Sequence, residues 1–165
     1  MSGMFRPWML PLAAVVVLLA GISGAEFPRA RNRIPEGAKA ILEQPDQFEL
    51  LSLNPFRRTN SLKGSFHGYQ VLGRAVITNA ESRQKLISAF EKGVRENKGM
   101  ENLCFDPRHG IHVTHDGKSA DFVICFQCLQ VLVYGPAQAH LLISRSPEPV
   151  FDRMLRDAGV RLAYK

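Results

Sequence analysis

Cysteine and histidine are the side chains that exchange disulfides, hold soft metals and move protons near neutral pH. This chain concentrates both between residues 104 and 128, as Cys104, His109, His112, His115, Cys125 and Cys128. Cys104-x4-His109 is a feasible local chelate, and Cys125-Phe-Gln-Cys128 has CxxC spacing. Cys104, His109, Cys125 and Cys128 are therefore a candidate metal set whose ligand types suit zinc or copper. No cofactor is the expectation, with zinc or copper at these residues as the alternative. A nucleophile paired with a base, or a glycine loop shaped to cradle phosphate, is not found, so hydrolase and transferase readings have little to stand on.

The elements around these residues decide which of them can meet. Asp116-Gly117 stands between two alternating runs and predicts a two-residue hairpin turn, because both positions must take positive φ. With that turn, His115 faces Lys118, Val113 faces Ala120, His112 faces Asp121, Ile111 faces Phe122 and His109 faces Ile124. Side chains alternate across a strand, so Ile111, Val113, Phe122 and Ile124 share the core face. His112 and Asp121 share the other face as a cross-strand pair. The same alternation prevents His109, His112 and His115 from binding one ion together.

The residues flanking Cys125 and Cys128 read as strand, and in a regular strand positions i and i+3 point to opposite faces. The two sulfurs meet only through a bulge or turn at Phe126-Gln127, and a redox CxxC belongs at a helix N-terminus. Continuing the hairpin register brings Cys104 beside Cys128, with distortion at Pro107 leaving Cys125 also within reach. In an oxidising compartment the simplest outcome is a Cys104–Cys128 disulfide. It closes a loop of about 24 residues and contributes on the order of 3 kcal/mol. Cys125 is then left over, most simply as a buried inert thiol.

Elsewhere, Glu36 to Glu43 holds a short helical turn stopped by Pro45, and residues 47–53 read as a strand ended by Asn54-Pro55. Residues 56–65 read as a loop. Phe66 to Thr78 reads as one long strand with a bend or bulge at its glycines. Thr78-Asn-Ala-Glu81 has capping-box spacing, and Leu86, Ile87, Phe90 and Val94 form a helical stripe with Gly99 as the stop. Ser119 through Tyr134 reads as one return strand broken by Gly135-Pro136. Residues 141–144 make an edge strand. Pro147 to Ala158 makes an amphipathic helix with Val150, Phe151, Met154 and Leu155 inward. The expected fold is α+β, in the order β-β-α-β-β-β-α. An antiparallel sheet of about four or five strands carries two main helices on one face.

The amino terminus sets the compartment. Arg6 is followed by an uncharged run from Pro7 to Ala25 that contains the apolar core 12–20 and closes on Ser23-Gly24-Ala25. That is the layout of a secretory signal peptide over residues 1–25, followed by a linker over 26–37 and a single domain over 38–165. The expected location is periplasmic, cell-surface or extracellular. The alternative is a membrane anchor, since a span needs roughly 17–25 residues. Arg29, Arg31 and Arg33 would then draw the domain towards the cytoplasm. Membrane contact is expected only through residues 7–25, if they are retained. One of the 21 basic side chains lies in the leader, leaving 20 against 15 acidic and a charge of +5. This excess is modest and scattered, without basic residues interleaved with aromatics, so no nucleic-acid partner is expected.

The segments Cys-Phe-Asp-Pro-Arg-His-Gly (104–110) and Ile-Cys-Phe-Gln-Cys (124–128) resemble a pattern found in small uncharacterised exported bacterial proteins. Glu36-Gly-Ala and Ser146-Pro-Glu-Pro-Val-Phe151 fit the same pattern. The resemblance covers most of 36–160; it implies a shared domain and carries no activity. Arg108-His109-Gly110 is similar to the phosphohistidine triplet of histidine phosphatases. There the triplet follows a buried parallel strand near the start of a larger domain. Here Asp106-Pro107 precedes it, so no phosphatase assignment follows. The expected function is a non-catalytic module binding a protein or small ligand. The alternative is a Cys/His metal-binding or thiol-dependent protein.

Overall fold

The computed structural model describes residues 32–58 and 64–164. The signal peptide or anchor expected over 1–25, and the first half of the linker (26–31), lie outside the described residues; of the rest, Ile34 is buried in the core and Glu36-Gly37 open the first helix. Among the described residues no helix is long and apolar enough to cross a membrane.

Helix α1 (Glu36–Glu43) begins after Pro35, whose carbonyl accepts from Lys39 N–H, and buries Ala38, Ile41 and Leu42. Gln44 leaves helical geometry because the residue before a proline is driven out of the α region. Strand β1 (Gln47–Arg58) runs through Asn54-Pro55 instead of ending there. Its pairing with the central hairpin stops at Ser52, and its register on the other side shifts between Asn54 and Arg58. A proline is tolerated at such an irregularity because it interrupts no regular ladder.

The single long strand expected over 66–78 is instead a hairpin, β2 (Ser65–Phe66) and β3 (Tyr69–Val76). His67 and Gly68 turn it at φ 48° and 85°. The expected bulge is present in β3, where the register against β1 shifts between Gly73 and Val71. Helix α2 (Ala80–Glu96) starts one residue later than the capping box implies. Asn79, not Thr78, is the cap, its side chain accepting from Ser82 N–H at 2.8 Å.

Strands β4 (His109–His115) and β5 (Lys118–Cys125) pair in the expected register at every position from His115–Lys118 to His109–Ile124. The expected single run 119–134 is two strands. The chain turns over residues 126–129 and returns as β6 (Gln130–Tyr134). Leu129 takes φ 61° and its N–H donates to Phe126 C=O, which closes the turn without glycine or proline. Strand β7 (Ala139–Leu142) and helix α3 (Glu148–Asp157) complete the chain.

The fold is α+β, but with three helices and a seven-stranded antiparallel sheet, in the order β2-β3-β1-β4-β5-β6-β7, curled into a half-barrel. Ile111, Val113, Phe122 and Ile124 lie in the main core with Phe90 of α2, Leu42 of α1 and Phe151 of α3. The helices therefore share one face of the sheet. A second cluster of Leu51, Leu53, Phe66, Tyr69 and Val123 forms on the other face, without helical residues. Both faces of the central strands are buried, which is why β5 reads as an almost unbroken apolar run.

Candidate functional site

The turn between β5 and β6 brings the cysteines together. Cys125 is the last residue of β5, on the face opposite Ile124, and Cys128 sits in the turn. The turn folds Cys128 back so that its Sγ lies at disulfide distance from that of Cys125. Cys104, from the segment between α2 and β4, places its Sγ 2.7 Å from Cys128 Sγ. The three sulfurs all lie within 4.8 Å of one another. The expected Cys104–Cys128 pairing with Cys125 left over is thus altered. Cys104 is beside Cys128, as the register requires, but the bonded-distance pair is Cys125–Cys128 and Cys104 is the remaining thiol.

One backbone hydrogen bond and three from side-chain amides fix this geometry. Asn102 N–H donates to Cys128 C=O at 3.0 Å, and its side chain donates to Gln127 C=O at 2.8 Å. Gln130 Nε2 donates to Asn102 C=O and to Cys104 C=O. The loop carrying Cys104 is therefore stitched to the turn carrying its partners. Two N–H groups also point at sulfur: Asp106 N–H at Cys128 Sγ (3.3 Å) and Cys128 N–H at Cys125 Sγ (3.1 Å). Cys125 and Cys128 are buried, and Cys104 is half-exposed.

His109, the fourth residue of the candidate metal set, is not at this centre. It pairs with Ile124 and so faces the helices, whereas Cys125 faces away from them. There its Nε2 lies 3.0 Å from Asp152 Oδ1 of α3, with Phe126 and Phe151 edge-on around the ring. Asp152 was hidden in the sequence, because it sits among the apolar residues of an amphipathic helix. Between His109, Arg108 and Arg145 lies a cavity of about 180 Å³. Arg108, one of its lining residues, donates to Gln127 Oε1 at 2.9 Å and to Tyr164 C=O at 3.0 Å.

The cross-strand pair expected at His112 and Asp121 is present, with Nδ1 2.5 Å from Oδ1. It is larger than expected: the second oxygen of Asp121 lies 2.7 Å from Nε2 of His67. His67 stacks on Tyr134 with ring centres 3.7 Å apart. The signal for His67 was its place before Gly68 between two aromatic residues, a turn dipeptide. The Asp121 hydrogen bond raises the pKa of His112 against the opposing effect of burial. Burial pushes the Asp121 carboxyl upward, but the hydrogen bonds from His112 and His67 outweigh it and its pKa is lowered. His115, the third histidine of the tract, lies 3.4 Å from Asp46 and 3.6 Å from Asp116. The histidines at positions 109, 112 and 115 thus lie against different carboxylates.

No protein-family model, curated protein or solved structure matches the chain. Fold and site together define an antiparallel α+β domain with a three-sulfur centre at the end of its central hairpin.

Proposed function

We propose that this chain is an exported thiol-dependent protein and that Cys104, Cys125 and Cys128 are its working site. The observation that carries this reading is the convergence of three sulfurs, two at disulfide distance and the third 2.7 Å from one of them. A disulfide placed only for stability needs no third sulfur in contact. A thiol touching a disulfide is the arrangement in which exchange takes place, by attack of thiolate on a bonded sulfur. Among the described residues, no surface feature supports as strongly the expectation of a module that simply binds a protein or small ligand. The test is the intact mass of the native protein alkylated without reduction. One alkyl group on a chain beginning at Glu26 supports one disulfide, one accessible thiol and a removed leader.

The second reading is a metal site, favoured by the grouping of all three sulfurs within 4.8 Å. Three thiolates suit copper in its reduced state, or zinc with a fourth position left open. His109 is not available to it, being held by Asp152. The two readings exclude one another in any one molecule, since a disulfide has no thiolate to donate. Three alkyl groups together with stoichiometric zinc or copper would overturn the first reading in favour of the second.

A further inference from the structure

We infer that Cys104 is the receiving thiol of an internal relay, which takes a partner's disulfide at the surface and passes it through Cys128 to the buried Cys125–Cys128 pair. This rests on the thiol reading above and assigns an order to its steps. Exposure sets the roles. Cys125 and Cys128 are 1 % and 0 % exposed, so an outside disulfide cannot reach them, whereas Cys104 is partly exposed. Contact sets the path. Cys104 Sγ lies 2.7 Å from Cys128 Sγ, so the two exchange without a change of fold.

Starting from three thiols, the Cys104 thiolate attacks a partner disulfide. An S–S bond forms to Cys104 and one partner sulfur leaves as a thiol. The Cys128 thiolate then attacks Cys104 Sγ, forming Cys104–Cys128 and releasing the second partner thiol. Finally the Cys125 thiolate attacks Cys128 Sγ, forming Cys125–Cys128 and returning Cys104 as a thiol. The partner disulfide is reduced to two thiols and the protein dithiol is oxidised to one disulfide, with the protons passing to the leaving sulfurs. Run backwards, the last step makes Cys125 the leaving group. Cys128 N–H stabilises its charge at 3.1 Å, and Asp106 C=O accepts from the protonated thiol at 3.4 Å.

The surroundings of Cys104 point to the class of partner. Among the described residues, Leu103 and Met100 are two of the few large apolar side chains left exposed, and Leu103 is fully so. They favour a cysteine carried on a polypeptide with apolar neighbours over a small polar disulfide.

The test uses the reduced full chain, quenched in acid at intervals after addition of oxidised glutathione and read by intact mass and disulfide mapping. In the wild type the glutathione adduct is expected to be transient and to give way to an internal disulfide. In Cys128→Ser it is expected to persist, mapped to Cys104. Cys125→Ser is expected to end as Cys104–Cys128 with no free thiol, and it decides alone should the Cys128→Ser chain not fold. A wild-type adduct as long-lived as that of Cys128→Ser, or two thiols retained in Cys125→Ser, overturns the relay while leaving the thiol reading in place. A native chain with three thiols and a bound metal overturns both. In a second arm, a peptide disulfide with leucine beside its cysteine is expected to form the adduct several-fold faster than glutathione at equal concentration. Equal rates overturn the assignment of partner class.

Discussion

Asp121 shows how one side chain can tie together segments that are remote in sequence. Its two oxygens hold His112 of the neighbouring strand and His67 of the β2–β3 turn. His67 takes φ 48°, a backbone state that favours glycine, and the contacts of its ring with Asp121 and Tyr134 offset that cost. The sign of the pH dependence follows. The His112 pKa is raised on folding, so its contribution is complete below the unfolded value of about 6.5 and is lost as pH rises through the folded value. The Asp121 pKa is lowered, so its contribution holds above the unfolded carboxyl range and fades as pH falls through the folded value. The cluster therefore stabilises most in mildly acidic solution. Asp121→Asn is expected to cost about 2 kcal/mol there, hydrogen bonds to charged groups being worth roughly 1.5–3. The gap between wild type and variant should narrow between pH 5.5 and 8.5 in urea unfolding; a gap that widens would contradict the assignment. Gly110 makes a simpler demand. A Cβ there would meet the Phe66 ring at 2.8 Å and Leu51 Cβ at 3.5 Å, so Gly110→Ala is expected to lower stability by roughly 1–3 kcal/mol in the same assay.

At the scale of elements, α2 sets two rules against each other at Gly93. Alanine is the better helix former by about 1 kcal/mol. A Cβ at Gly93 would, however, approach Pro147 to 2.5 Å and Ile143 to 3.0 Å, and overpacking costs roughly 1–3 kcal/mol. Gly93→Ala is therefore expected to be destabilising despite raising helix propensity, with a lower melting temperature as the readout. Removing the cap at Asn79 by alanine should cost about 1 kcal/mol in that measurement. The elements legible in the sequence were those governed by local chemistry. Asp116-Gly117 set a register that holds through seven residue pairs, and the stripe Leu86, Ile87, Phe90, Val94 marked the buried face of α2. The β2–β3 hairpin was misread although His67-Gly68 marked its turn, whereas the turn after β5 was misread because tertiary packing there overrides local signals. The turn at 126–129 contains no glycine or proline; Leu129 is held at positive φ in a turn the Cys104 loop also grips, so β5 and β6 looked like one strand. For the site, the proximity of Cys104 to Cys128 was readable from register alone. The meeting of Cys125 with Cys128 was not, because it depends on that unmarked turn. The burial of Asp152 beneath His109 was not readable either, because it depends on how α3 lies across the sheet.

Across the whole molecule, the two possible disulfides close loops of very different length. Cys125–Cys128 has a sequence separation of 3, against 24 for Cys104–Cys128. Chain-entropy reasoning gives the shorter loop about 2 kcal/mol and the longer about 3.5 kcal/mol. Cys125→Ser, locked into the long loop, should therefore resist urea better than Cys104→Ser, locked into the short one, by about 1.5 kcal/mol. Equal midpoints would mean that the bonds act on the native state and not on the unfolded chain. The outermost strands of the sheet carry a different consequence. β2 has two residues and β7 has four, while β1 between them has twelve. A sheet grows from molecule to molecule by offering its unpaired backbone groups as a template. Among the described residues, however, β1 is paired on both sides only from Glu49 to Ser52, and β2 covers only Tyr69 and Gln70 of the eight-residue β3. The outer side of β3 from Leu72 to Val76 is therefore where a second copy would find ladder to extend, and the shortness of β2 and β7 limits attachment only along their own edges.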